Sequence, residues 1–204
     1  LLLPGDILSL CQELALPTIV SLILRPKCVP LSLTVYRTRM PQVRLHDSSR
    51  LWKLKFLKEK ALLRTLLRGR VLDIVHFGST SIPGMIAKPI IDIQVGVRNF
   101  EQAFDLVNQV ERLGYTYEGE SEELRQYSFA KGEPIEYYLY LVDINSEIWS
   151  ERIAFRDCVR DSRECAEAYA ELKRELASRY PDDLRAYQDG KREFVERIVR
   201  AARS

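Results

Sequence analysis

Two nearly unbroken apolar segments, VLDIVHF at 71–77 and PIIDIQVGV at 89–97, flank the small-residue stretch GSTSIPGMIAK. Segments of that length, rich in Ile and Val and followed by turn residues, read as strands. The second is nearly apolar throughout, so it belongs at the centre of a sheet. Asp92 interrupts it where an aliphatic residue would pack. A carboxylate there is costly unless something pairs with it. This conflict constrains the chain more than any bulk property: the fold must bring Asp92 a partner.

The rest of the chain supplies one α+β domain around that pair. Ser48 or Ser49 can cap a helix with Leu51, Leu54, Leu57, Leu62, Leu63 and Leu66 as its apolar face, closed by Gly69. Asn99 can cap a helix over 100–114 with Phe100, Phe104, Val107 and Val110 inward. YTYEG, LRQYSFAKG and IEYYLYLVD (135–143) read as further strands. Three helices follow, over roughly 147–160, 162–180 and 181–202, the last opened by Pro181. The expected architecture is therefore an N-terminal helix, a mixed β-sheet and a C-terminal helical tail.

Residues 1–39 are leucine-rich but broken by Pro4, Asp6, Glu13 and Pro17, with no apolar run long enough to span a bilayer. The chain begins with Leu, and Met40-Pro41 would make a natural start. Residues 1–39 are expected to be an extension, non-native or disordered, and residues 40–204 the folded domain. An amphipathic appendage that binds a partner or a membrane surface is the alternative for 1–39.

Cys11, Cys28, Cys158 and Cys165 form no Cys-x-x-Cys pair, which fits reduced thiols and predicts a cytoplasmic protein. Cys158 and Cys165 are expected on one helix, sharing a buried face. A net charge of +2 does not point to nucleic acid, although cations crowd residues 50–70; a solvated helix face is the expected reading there. No membrane partner is expected for the domain.

The Gly78-Ser79 turn points to chemistry. Glycine lets a ligand approach the main chain, and backbone N–H groups with the Ser79 and Thr80 hydroxyls can donate to phosphate oxygens. Asp92 on the neighbouring strand is a hard oxygen ligand of the kind Mg²⁺ takes alongside substrate phosphates. Lys88 can meet a phosphate, and His76 can contact a substrate or the acid. The bland counterparts are a plain turn, a carboxylate salt-bridged to Lys88 or an arginine, and a satisfied core histidine.

HFGSTSIPGMIAKPIIDIQVGV, with AFRDCVR and YAELKRELASRYPDDLRAYQDGKREFVERI in the tail, resembles the GrpB family, a branch of the nucleotidyltransferase superfamily with the fold of DNA polymerase beta. The resemblance runs from about Met40 to the C-terminus. It implies a nucleotidyltransferase-type sheet, with Gly78 and Ser79 facing a triphosphate and Asp92 holding Mg²⁺. Lys191, in GKREF, matches a tail lysine able to reach phosphate. The superfamily's second acid falls at Gln94, and a third could come from Asp143 or Glu136. Where the family commonly has histidines, this chain has Tyr137, Tyr138 and Tyr140; Tyr138 and Tyr140 can hydrogen-bond or stack on a base. The implied function is transfer of a nucleoside monophosphate from a triphosphate to an acceptor. The alternative is a non-catalytic module that binds a nucleotide or a coenzyme A-related molecule. A nucleic-acid partner through the basic segment is a weaker third reading.

Overall fold

The computed structural model describes residues 42–203. The readings made for residues 1–39, Cys11 and Cys28 among them, lie outside these residues. Helix α1 (Arg50–Leu66) is capped by the Ser49 hydroxyl, which accepts from the Leu51 N–H. Strands β1 (Asp73–Phe77) and β2 (Ile91–Val97) follow, separated by a single 3₁₀ turn at Ser79–Ser81. A 3₁₀ segment (Glu101–Leu106) and α2 (Val107–Glu111) lead to the hairpin β3 (Thr116–Ser121) and β4 (Gln126–Lys131), then β5 (Tyr137–Asp143). The tail is α3 (Glu147–Asp161), α4 (Arg163–Arg179), α5 (Leu184–Asp189) and α6 (Arg192–Arg203). No helix of the described residues is long and apolar enough to cross a membrane.

The sheet has five strands in the order β1-β2-β5-β4-β3. β2 and β5 are parallel, and the other neighbours are antiparallel. β2 therefore has a strand on each side, which explains its apolar run. Side chains alternate across a strand, and the alternation divides the molecule. Ile91, Ile93, Val95 and Val97 join Leu139 and Leu141 in the core beneath α1 and α2. Asp92, Gln94 and Gly96 face the tail. At Gly96 an added Cβ would lie 3.1 Å from the Trp149 ring of α3, so the helix seats directly on the strand.

Four expectations need correction. α1 buries Trp52, Phe56, Glu59 and Leu63, while Leu51, Leu54, Leu57 and Leu62 point outward at 63, 60, 48 and 41% exposure. The larger aromatic rings won the buried face, and Glu59 joins them because Lys131 meets its carboxylate at 2.7 Å. Phe104 is exposed as well: the 3₁₀ period of three buries Phe100, Ala103 and Leu106 and turns Phe104 away. The expected third tail helix is two, α5 and α6. Gly190 ends the first, and an added Cβ there would lie 2.5 Å from Leu176 of α4.

Cys158 and Cys165 lie on different helices, α3 and α4, because Ser162 ends one and caps the next. Both are free thiols. Burial and the facing Cys165 push the Cys158 thiol upward.

Candidate functional site

The register of β2 against its neighbours builds the site. Asp92 pairs with Phe77 across β1 and with Tyr138 across β5, and Gln94 pairs with Tyr140. Gly78 follows Phe77 with φ +69°, a region that favours glycine. Its backbone runs so close to Asp92 that a Cβ on Gly78 would lie 2.2 Å from Oδ2. The turn and the buried strand thus meet at one carboxylate.

Around that carboxylate lies a cavity of about 140 Å³. Ser79 and Thr80 of the turn, Lys88 and Asp92, Tyr138 and Tyr140 of β5, and Lys173, Tyr187 and Lys191 of the tail line it. Lys173 is 2% exposed; its ammonium donates to the Ile86 carbonyl and lies 5.1 Å from the Tyr169 ring centre. Lys191 stands 4.5 Å from the Tyr187 ring centre. Arg152 of α3 is sandwiched by Phe77 and Tyr140, at 4.8 and 4.6 Å. One Arg152 Nη2–H reaches Gln126 Oε1 at 2.8 Å, while the buried Nη1 has no partner among the described residues.

The electrostatics are lopsided. Burial raises Asp92 to about 6, and Lys88, Lys191, Arg152 and Lys173 only partly pull it back. Burial also lowers Lys173 to about 7, with Lys191 and Lys88 pushing the same way. Lys191 is lowered to about 8 by burial and by Lys88. Lys88 is lowered by burial against the pull of Asp92. One carboxylate cannot neutralise so many cations. The cavity is short of negative charge.

That imbalance decides how a divalent ion would fare. Mg²⁺ seeks oxygen ligands, usually one or two carboxylates plus phosphates. Gln94 cannot supply the second acid: it is fully buried, its Nε2–H donates to the Trp149 carbonyl at 3.3 Å, and its Oε1 finds no donor among the described residues. Asp143 lies at the far end of β5, gripped by Arg125 at 2.9 Å, and Glu136 is held by Lys55 at 2.8 Å. Among the described residues no group of three or more His, Cys, Asp or Glu could hold a metal. With one carboxylate ringed by cations, the donor set does not suit a resident Mg²⁺.

Of the residues singled out in the sequence, the structure brings Gly78, Ser79, Thr80, Lys88, Asp92, Tyr138, Tyr140 and Lys191 together. Thr80 is partly spent: its hydroxyl donates to the Ile90 carbonyl at 3.0 Å and meets His76 Nε2 at 3.0 Å. His76 itself points the other way. It stacks on Phe56 of α1 at 4.7 Å, on the far side of the sheet from Asp92. Burial, aided by Arg156, lowers it to about 4, so it is neutral at physiological pH. Lys173 and Arg152 escaped the sequence reading. Lys173 falls on the apolar face of α4 with Tyr169 and Leu176, and a charge inside an apolar stripe was the available signal.

The GrpB protein family matches residues 42–201. The chain belongs to the GrpB family. It is 36% identical over 164 residues to the glutamate-rich protein GrpB of Alkalihalophilus pseudofirmus, covering 78% of this chain and 94% of that one. It is 32% identical over 163 residues to the UPF0157 protein YqkA of Bacillus subtilis, covering 79% of this chain but 47% of that protein. The crystal structure of conserved protein GrpB from Enterococcus faecalis superposes with a TM-score of 0.71 at 30% identity, over 78% of this chain and 96% of that one. This GrpB-family chain therefore has the mixed sheet and helical tail of a solved relative over most of its length.

Proposed function

We propose that the cavity beside Asp92 binds the phosphate end of a small phosphorylated molecule of the nucleotide class, without a resident metal. The observation that carries this reading is the convergence of Lys88, Lys173 and Lys191 on a site with one carboxylate. Buried ammonium groups with lowered pKa values gain most from an incoming anion, because it restores the charged form that burial disfavours. The volume suits one or two phosphates, and the tyrosine faces beside them can stack on a flat group outside. Asp92 then orders the lysines and limits how tightly the anion is held. A nucleotide and a coenzyme A-related molecule share this chemistry.

Thermal shift tests it with inorganic phosphate, pyrophosphate, ATP and coenzyme A, each in chelator and in Mg²⁺. Stabilisation in chelator that is lost in Lys191→Met supports the proposal. No stabilisation by any of the four refutes it.

Transfer of a nucleoside monophosphate from a triphosphate to an acceptor is the second reading, favoured by the carboxylate set directly against the Gly78 turn. Pyrophosphate release above the background of Asp92→Asn would support it. Binding with no release across acceptors would leave the binding module.

A further inference from the structure

The outer face of α1 is the largest feature that the cavity does not use. Leu51, Leu54, Leu57 and Leu62 are exposed there, and helical spacing places Leu51, Leu54 and Leu62 on one side. Between and beside them stand Arg50, Lys53, Lys58 and Arg64, all exposed and without an ion pair among the described residues. Arg68 continues the series past the helix end.

No exposed acid offsets this charge along the helix. Glu59 is the one acid of α1, and it is buried on Lys131. Of the acids at the margins, Glu136 is held by Lys55, Asp73 lies near Lys60 and Asp105 is met by Arg70, while Asp47, just before the helix, is exposed.

We propose that this face docks on an anionic lipid bilayer, with α1 lying in the plane of the interface. A helix that interleaves leucines with uncompensated cations matches that environment on both counts: acyl chains take the leucines and anionic headgroups the ammonium and guanidinium groups. Seventeen residues give a contact about 25 Å long. Nucleic acid would use the cations but not the leucines, because its backbone is met by polar groups and its bases by aromatic rings. Association of two copies through this face would set like charges against each other. The inference is independent of the cavity, which lies across the sheet from α1.

Co-sedimentation of the full chain with vesicles tests it, using phosphatidylcholine alone and a two-to-one mixture with phosphatidylserine. The chain is expected to sediment with the mixed vesicles and to stay in solution with the neutral ones. Lys58→Gln with Arg64→Gln should weaken binding about 25-fold, at roughly fivefold for each cation near the surface. Leu54→Gln with Leu62→Gln should weaken it about tenfold or more, with an unchanged circular dichroism spectrum. The proposal is overturned if the chain ignores mixed vesicles, or if either variant binds like the wild type, which would place the contact elsewhere. It is also overturned if duplex DNA displaces the vesicles and binds the leucine variant undiminished.

Discussion

Replacing Lys173 with methionine should stabilise the unliganded protein while removing its response to phosphate. Lys173 is 2% exposed, and burial together with Lys191 and Lys88 lowers it from 10.5 to about 7. At about 1.36 kcal/mol per tenfold change in proton affinity, keeping it charged at neutral pH costs the folded state about 4 to 5 kcal/mol. Methionine has a similar length and fits an apolar stripe. The substitution also loses the bond from the ammonium to the Ile86 carbonyl, which offsets about 1.5 to 3 kcal/mol. The net gain is about 1 to 3 kcal/mol, or roughly 5 °C in Tm for a domain of this size.

The sign with pH follows from the lowered value. Between about 7 and 10.5 the unfolded chain binds the extra proton, so wild-type stability rises with pH there and the penalty is complete below 7. The advantage of Lys173→Met should therefore be largest at or below pH 7 and shrink towards pH 10. Differential scanning fluorimetry across that range, with and without phosphate, reads both effects. A variant that is destabilised equally at every pH and still responds to phosphate would refute the reasoning and make Lys173 a packing residue.

Gly78→Ala places a methyl 2.2 Å from the Asp92 carboxylate at φ +69° and should cost about 2 to 4 kcal/mol in denaturant unfolding, partly recovered when Asp92 is also made alanine. Asp92→Asn should remove a pH-dependent loss: the wild type, with its carboxyl raised to about 6, loses stability as pH climbs from 4 to 6, so the variant should gain about 1 to 3 kcal/mol over it above pH 6. In α1, Leu63→Ala should cost about 2 to 5 kcal/mol by opening a cavity, while Leu62→Ser stays within about 0.5 kcal/mol, as chemical denaturation will read.

The sheet was legible because β2 and β5 are long apolar runs, and the start of α1 because Ser49 accepts from a helix N–H. The face of α1 was not. Leucine periodicity outvoted Trp52 and Phe56, although aromatic rings bury more area, and the exposed leucines have a use that helix periodicity does not encode. His76 has the surroundings of the satisfied core histidine named as one of its two readings: proximity in sequence to Gly78 says nothing about which side of the sheet a residue takes, and Phe56 stacks on it there. Asp92 was legible as a charge that needs partners. Lys88 was named among them; Lys173 and Arg152 were not, because they come from helices more than fifty residues away in the chain and only the packed tail brings them in.

The central claim is that excess positive charge, and no bound metal, makes the cavity beside Asp92 a phosphate site. Calorimetric titration of pyrophosphate into the full chain in the presence of chelator tests it most directly. The account predicts binding that tightens in Asp92→Asn and vanishes in Lys173→Met with Lys191→Met. Binding that appears only with Mg²⁺ and is abolished by Asp92→Asn would contradict it.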